Sequence, residues 1–375
     1  MNQPFREKND EKPRILVAPL DWGLGHATRC IPIIRELLAQ GADTWLAGEG
    51  AQEELLKTEF PGLPFLSLPG YRVRYAKTRW GLFWKMLQQG PQLRRAIQYE
   101  HQWLKKMTAE HGFDGVISDN RYGLYHPAIP SIFLTHQLAI QSPLGKWSEK
   151  FLQKKNYRYI NHFTECWVPD SEGDNNLAAA LSHPVKKPAI PLRYTGVLSR
   201  FEKQDVAEKK GHLVVILSGP EPQRTILEEK IIREISTHQG SATIIRGLPG
   251  TVTLVPSTNM IRVYNHLPAA ALNTAIQEAE YIISRSGYST VMDIVTLQKK
   301  SILIPTAGQT EQEYLGHSLQ ERKIALCIDQ EEFTLDAALE TAKEFLYALP
   351  PVEKNDLLKK AIRDLLDHSL APALG

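Results

Sequence analysis

Four apolar residues, Ile15-Leu16-Val17-Ala18, run straight into the turn Asp21-Trp22-Gly23-Leu24-Gly25-His26. Beyond it, Ala27, Cys30, Ile31, Ile34, Leu37 and Leu38 recur at helical spacing. Gly41 stands where a helix ends, and Thr44-Trp45-Leu46-Ala47 reads as the next strand. A strand, a glycine turn, a helix and a second strand in this order predict a parallel sheet of the α/β class. Short apolar runs at 115–117, 132–134 and 165–168 extend the pattern. The stretch 181–194 holds Pro184, Pro188 and Pro191 and reads as a linker, with a charged run over 200–210 after it. A second α/β pattern then begins, with the apolar run 212–217 ending in Ser218-Gly219-Pro220. Ile226, Ile231, Ile232 and Ile235 suggest a helix behind it, and strands are expected at 243–245, 262–263, 281–283 and 301–304. Residues 356–366 form a separate amphipathic helix, and no repeat of 20–50 residues is visible.

A chain of 375 residues accommodates two such domains. Ligands of open α/β sheets bind at the carboxyl ends of strands, so the natural site is a cleft between the two. The net charge of +2 is too balanced for nucleic-acid binding as the main role. Cys30, Cys166 and Cys327 are far apart, which argues against a metal cluster or a disulfide framework and fits a reducing, cytoplasmic setting. The N-terminus lacks an apolar signal core, and no apolar run reaches the ~18 residues of a membrane span. The expectation is a cytoplasmic protein whose membrane contact, at the inner face, is peripheral.

The glycine turns carry the chemistry. Gly23 and Gly25 let the backbone approach a ligand at a helix N-terminus, which favours an anion. Thr28 stands where a dinucleotide fingerprint needs its third glycine, which weighs against a redox cofactor. A helix N-terminus keeps the His26 imidazole neutral, the state a general base needs. A tight turn without ligand and a locally packed histidine explain the same residues. The second turn, Ser286-Gly287-Tyr288-Ser289-Thr290, follows the strand at 281–283 and precedes a helix with Val291, Ile294 and Val295 on one face. Its hydroxyls and N–H groups can cradle a phosphate or simply cap the helix. Val291 replaces the second glycine of a nucleophile elbow, which argues against a serine hydrolase. Asp293 could accept from a ribose diol or only answer the helix dipole. Gln309, Glu311, Gln312 and Glu313 suit a polyhydroxylated ligand, although acidic first-turn residues also belong at a helix start.

With both turns in place, the chain resembles the GT-B glycosyltransferases of family 28, to which the lipid II N-acetylglucosaminyltransferase belongs. The specific part is residues 281–319, with its SRSG turn, helix acid, strand, proline and glutamine-rich loop; DWGLGHATRC is a second, N-terminal likeness. The resemblance implies two Rossmann-like domains facing across a cleft: 12–193 for the acceptor, 194–355 for the nucleotide sugar, and 356–375 returning to the first. It implies inverting transfer from a nucleotide diphosphate sugar, UDP-linked, without metal or further cofactor. The sugar would be a hexose or N-acetylhexosamine. His26, or alternatively Asp119, would deprotonate the acceptor hydroxyl. The donor would meet Ser218, Gly219 and Arg224; Ser286, Gly287, Tyr288, Ser289 and Thr290; Asp293; and Gln309, Glu311, Gln312 and Glu313. Gly23, Gly25, Arg29, Arg121 and His136 would face the acceptor. Asp293 replaces the family's usual glutamate, and Glu313 breaks its glutamine pair, which leaves the sugar open. Two other functions fit the same frame: a sugar-nucleotide epimerase or hydrolase, and a non-catalytic nucleotide-sugar binder.

Residues 71–106 add a separate signal. Arg72, Arg74, Lys77, Arg79, Lys85, Arg94, Arg95, Lys105 and Lys106 face a single acid, Glu100. Trp80, Phe83, Trp84 and Leu87 fall on one helical face. Lys146, Trp147, Lys150, Lys154 and Lys155 form a second patch. Such mixtures suit an anionic membrane surface or a lipid-linked phosphate acceptor, or else a core stripe beneath a solvated face.

Overall fold

The computed structural model describes residues 12–71, 90–142, 145–248, 251–252, 255–352 and 356–370. Two parallel sheets organise it. The first contains β1 (Arg14–Pro19), β2 (Asp43–Gly48), β3 (Phe65–Ser67), β4 (Gly115–Asp119), β5 (Ser131–Leu134), β6 (Glu165–Val168) and β7 (Leu192–Tyr194). Its strands lie in the order β3-β2-β1-β4-β5-β6-β7. The helices α1 (Leu24–Ala39), α2 (Ala51–Glu59), α3 (Gly90–His111) and α4 (Lys146–Ile160) accompany this sheet in sequence. The second sheet contains β8 (Leu213–Ile216), β9 (Ala242–Ile245), β10 (Ile261–Tyr264), β11 (Tyr281–Ser284), β12 (Ser301–Leu303) and β13 (Leu326–Cys327), in the order β10-β9-β8-β11-β12-β13. With it run α5 (Gln223–Ile235), α6 (Ala269–Glu278), α7 (Tyr288–Thr296), α8 (Thr310–Glu321) and α9 (Leu335–Glu344); α10 (Asp356–Leu370) ends the described chain.

The strands are short continuous apolar runs because helices cover both faces of each sheet. Ile15, Leu16, Val17 and Ala18 have no exposure, and the stripe Ala27, Cys30, Ile31, Ile34 and Leu37 of α1 is buried as its spacing requires. The last helix joins the N-terminal core. Leu358, Ala361, Ile362 and Leu365 belong to the same cluster as the α1 stripe. Gln40 Nε2 donates to the Lys359 carbonyl at 2.9 Å, and Arg193 pairs with Asp364 at 2.6 Å.

The stretch read as a linker contains β7, which pairs with β6 at the sheet edge. Its prolines obscured it. The Pro191 carbonyl accepts from Cys166 N at 2.9 Å, and an edge strand tolerates a residue without an N–H. Two short strands, β3 and β13, also escaped notice. Residues 72–89, with Trp80, Phe83, Trp84 and Leu87, lie outside the described residues. Within the remaining patch, Trp147 and Phe151 of α4 are 79% and 59% exposed, which makes them surface and not core. Among the described residues no helix is long and apolar enough to cross a membrane.

Each sheet reverses strand order once, between β1 and β4 and between β8 and β11. The carboxyl ends of strands flanking such a reversal diverge and leave a crevice. Both glycine turns emerge at these two points.

Candidate active site

Asp119 closes β4, with no exposure, beside the start of α1. Both its oxygens lie 3.1 Å from His26 Nδ1, and Arg29 Nε donates to it at 2.8 Å while Arg29 Nη2 makes a second short contact. Burial opposes ionisation of this carboxyl, but Arg29 and then His26 hold it down at about 2. Burial is also the main cause that pushes the His26 pKa below its ordinary value; Asp119 works against it and Arg29 with it. His26 is therefore neutral at physiological pH. Arg29 Nη2 lies 2.9 Å from the same Nδ1. The full charge of Asp119 favours a proton on Nδ1, because Arg29 is already satisfied by Asp119 and by His136 Nδ1 at 3.1 Å. That leaves Nε2 as the acceptor on a ring that lines the cleft.

The network continues across the domains. His136 Nε2 donates to Glu311 of α8 at 2.7 Å, and its ring stacks on Tyr288 with centroids 4.1 Å apart. Tyr288 Oη donates to the Pro169 carbonyl, and Ser289 Oγ to the Gly25 carbonyl, both at 2.8 Å. A side chain at Gly25 would begin 3.1 Å from Ser289 Oγ, so glycine there lets the starts of α1 and α7 face each other closely. Replacing Ser289 with alanine removes a single cross-domain hydrogen bond. The expected cost is about 1 kcal/mol, read as an earlier midpoint in urea unfolding.

Between the domains lies a cavity of ≈ 490 Å³. One wall holds Gly23, Gly25, His26, Arg29 and His136, with Trp22, Leu24 and Leu55. The other holds Ser218, Gly219, Gly287, Tyr288, Ser289, Thr290, Asp293, Gln309, Glu311 and Gln312. Asp293 accepts from Ser199 Oγ at 2.6 Å, and Arg200 Nε stands 3.9 Å away. Burial raises its pKa to about 6, against the opposing pull of Arg200 and the Ser199 hydroxyl. A carboxylate held this expensively and facing a cavity is suited to accept hydrogen bonds from a ligand.

Several sequence expectations need correction. Arg121 is fully buried: Nε donates to Glu100 at 2.8 Å, and its other groups to the Pro19 and Pro69 carbonyls. It braces the N-terminal domain and does not face the acceptor. Asp119 is equally enclosed, so it orients His26 and cannot itself reach a hydroxyl in the cleft. Arg224 borders the cavity, but its charge is consumed by Glu221 at 2.6 Å and Glu228 at 2.8 Å. Ser286 Oγ donates to the Gln312 carbonyl and ties its turn to the start of α8 instead of facing the cleft. Gln312 and Glu313 diverge: Gln312 borders the cleft, while Glu313 lines a separate cavity of ≈ 470 Å³ with Gln141, His317 and Asp329.

Arg200, Ile245, Gly247 and His266 line the cleft without having been singled out. Arg200 opens the charged run that follows the stretch read as a linker. A lone arginine among lysines and glutamates there carries no pattern.

Residues 257–367 match the model of the glycosyltransferase family 28 C-terminal domain. No curated protein matches the sequence. Solved structures of similar fold include the glycosyltransferase SnogD from Streptomyces nogalater, 14% identical with a TM-score of 0.60 over 96% of this chain and 100% of that one. The spinosyn rhamnosyltransferase SpnG, solved with thymidine diphosphate, is 15% identical with a TM-score of 0.60 over 95% and 98%. MurG of Acinetobacter baumannii is 13% identical with a TM-score of 0.52 over 96% and 95%. These likenesses establish the GT-B fold.

Proposed function

We propose that this chain, a GT-B protein with a family 28 C-terminal domain, is an inverting glycosyltransferase that uses a UDP-linked hexose or N-acetylhexosamine. The observation that carries the reading is one cavity with two chemically distinct walls. A neutral His26 backed by a buried carboxylate stands on one; glycine–hydroxyl turns and the poised acid Asp293 stand on the other. His26 Nε2 takes the proton as the acceptor oxygen attacks the sugar's anomeric carbon. The bond from that carbon to the diphosphate breaks, and the nucleoside diphosphate leaves on the opposite face. Loop N–H groups and the start of α7 meet the developing charge without a metal or further cofactor. Asp293 accepts from the ribose diol. A non-catalytic binder would have no use for the His26–Asp119 pair.

The acceptor in this reading is lipid-linked and reached from the cytoplasmic face of a membrane. Trp147 and Phe151 stack nearly parallel, 6.4 Å apart, on the exposed side of α4 amid Lys146, Lys150, Lys154 and Lys155. Exposed aromatics with flanking lysines suit an anionic bilayer surface. The basic aromatic segment 71–106, separate from this patch in sequence, is proposed for peripheral membrane contact as well.

A thermal-shift series tests the donor. UDP at about a hundred times its Kd should stabilise the protein by about 2.7 kcal/mol. ADP, GDP and NAD at the same concentration should shift it less. Equal shifts with all four would reject a UDP-specific donor, and no shift with any would reject the transferase reading.

A further inference from the structure

Arg285 follows β11 and is 1% exposed. Nη1 donates to the Ile304 and Pro305 carbonyls at 3.2 and 3.1 Å. Nη2 donates to the Gln223 carbonyl at 2.7 Å and to Gln330 Oε1 at 2.6 Å. Every one of these acceptors is neutral. Burial, unopposed by any nearby carboxylate among the described residues, pulls the guanidinium down to about 10. A buried cation without a counter-charge is expensive to keep. Among the described residues its Nε–H has no acceptor, and the Thr306 hydroxyl, also 1% exposed, has no partner either.

Both unmatched groups converge on one place. A side chain added at Gly219 would begin 3.4 Å from Thr306 Oγ1 and 4.0 Å from Arg285 Nε. Gly219, at φ +101°, sits in the loop between β8 and α5 that lines the cleft. The backbone N–H of Thr306 is already taken by Gln312 Oε1 at 2.9 Å, so its hydroxyl is the group left over. Neighbouring cations are committed elsewhere: Arg224 to Glu221 and Glu228, and Arg246 to Glu228. The Gly219 loop therefore lies over two hydrogen-bond donors, the Arg285 Nε–H and the Thr306 hydroxyl, that no acceptor among the described residues meets.

We infer that Arg285 and Thr306 form the floor of the donor's diphosphate site, with Arg285 as its buried counter-charge. The inference rests on the donor reading above and sharpens it, since Arg224 cannot supply that charge. Nε–H and the Thr306 hydroxyl donate to phosphoryl oxygens, and Gly219 keeps the space above them clear of a side chain.

Calorimetric titration of Arg285→Lys and Thr306→Val with UDP, uridine and inorganic pyrophosphate tests it. Thr306→Val keeps the shape and removes only the hydroxyl, so it remains informative if Arg285→Lys folds poorly. UDP and pyrophosphate should bind about tenfold or more weakly to Arg285→Lys and about threefold or more weakly to Thr306→Val. Uridine should bind as it does to the unaltered protein. If both variants keep the original ratio of UDP to uridine affinity, Arg285 is only a brace between β12 and α5, and the inference fails alone. If the unaltered protein binds neither UDP nor pyrophosphate, the donor reading fails and this inference with it.

Discussion

His26→Ala is expected to lower sugar transfer about a thousandfold while leaving UDP affinity within a factor of about two. The asymmetry follows from where the side chain stands. Its Nδ1 is held by Asp119 on the N-terminal wall, and the groups proposed to meet the nucleotide are on the opposite wall. Removing the imidazole takes away the proton acceptor without touching the donor's contacts. Burial, the leading cause, places the histidine's pKa below its ordinary value. With donor saturating, kcat should therefore already be flat at neutral pH and fall only as pH drops below that of an ordinary histidine. Transfer within about tenfold of the unaltered enzyme, or an acid limb of kcat at saturating donor that is unchanged in the variant, would remove His26 from the role of base.

The sequence displayed the scaffold better than the allegiances of its charges. Apolar runs such as 15–18 and 212–217 announce buried parallel strands directly, and the turns after them mark where strand order reverses. Periodicity is a local property, so it survives without knowledge of the fold. The partner of a charge is not local. Arg121 looked available beside Asp119, yet Glu100, 21 positions away, and two carbonyls further off consume it. Arg224 looked like a phosphate ligand, and its neutralising partners Glu221 and Glu228 lie within one helical turn either side, readable only once α5 is placed. Glu313 shows the same limit for direction. It adjoins Gln312 in sequence, but adjacent helical residues point about 100° apart, so the two serve different cavities. Arg285 stood in plain view within the SRSG turn. Only its burial, and the absence of any carboxylate near it among the described residues, distinguishes it from a structural arginine.

Binding of UDP-glucose should weaken as pH falls through about 6, and Asp293→Asn should abolish that dependence. Burial holds the Asp293 pKa up at about 6, above the ordinary aspartate value of 3.8. The free folded protein thus retains this proton more tightly than the unfolded chain does. Its stability is greatest, as far as this group is concerned, below the unfolded pKa. It is lost as pH rises between the two values, so that above about 6 the folded state carries an ionised, poorly solvated carboxylate. A ribose diol that donates to that carboxylate recovers part of this cost, which couples donor binding to proton release. Below the pKa, each pH unit leaves about a tenth as many ionised molecules and should raise the apparent Kd correspondingly, until the protonated acid binds in its own right. UDP-glucose is the suitable probe because its phosphates, both esterified, keep their charge over this range, whereas the terminal phosphate of UDP titrates within it. At neutral pH, Asp293→Asn should bind the donor about thirtyfold more weakly, the scale of a lost hydrogen bond to a charged group. The amide keeps the shape and relieves the buried charge, so the free variant should melt at or above the temperature of the unaltered protein. A Kd for the unaltered protein that is equal at pH 5 and pH 7.5 would separate Asp293 from the ribose. So would a variant that keeps the slope, because the titrating group would then be another one.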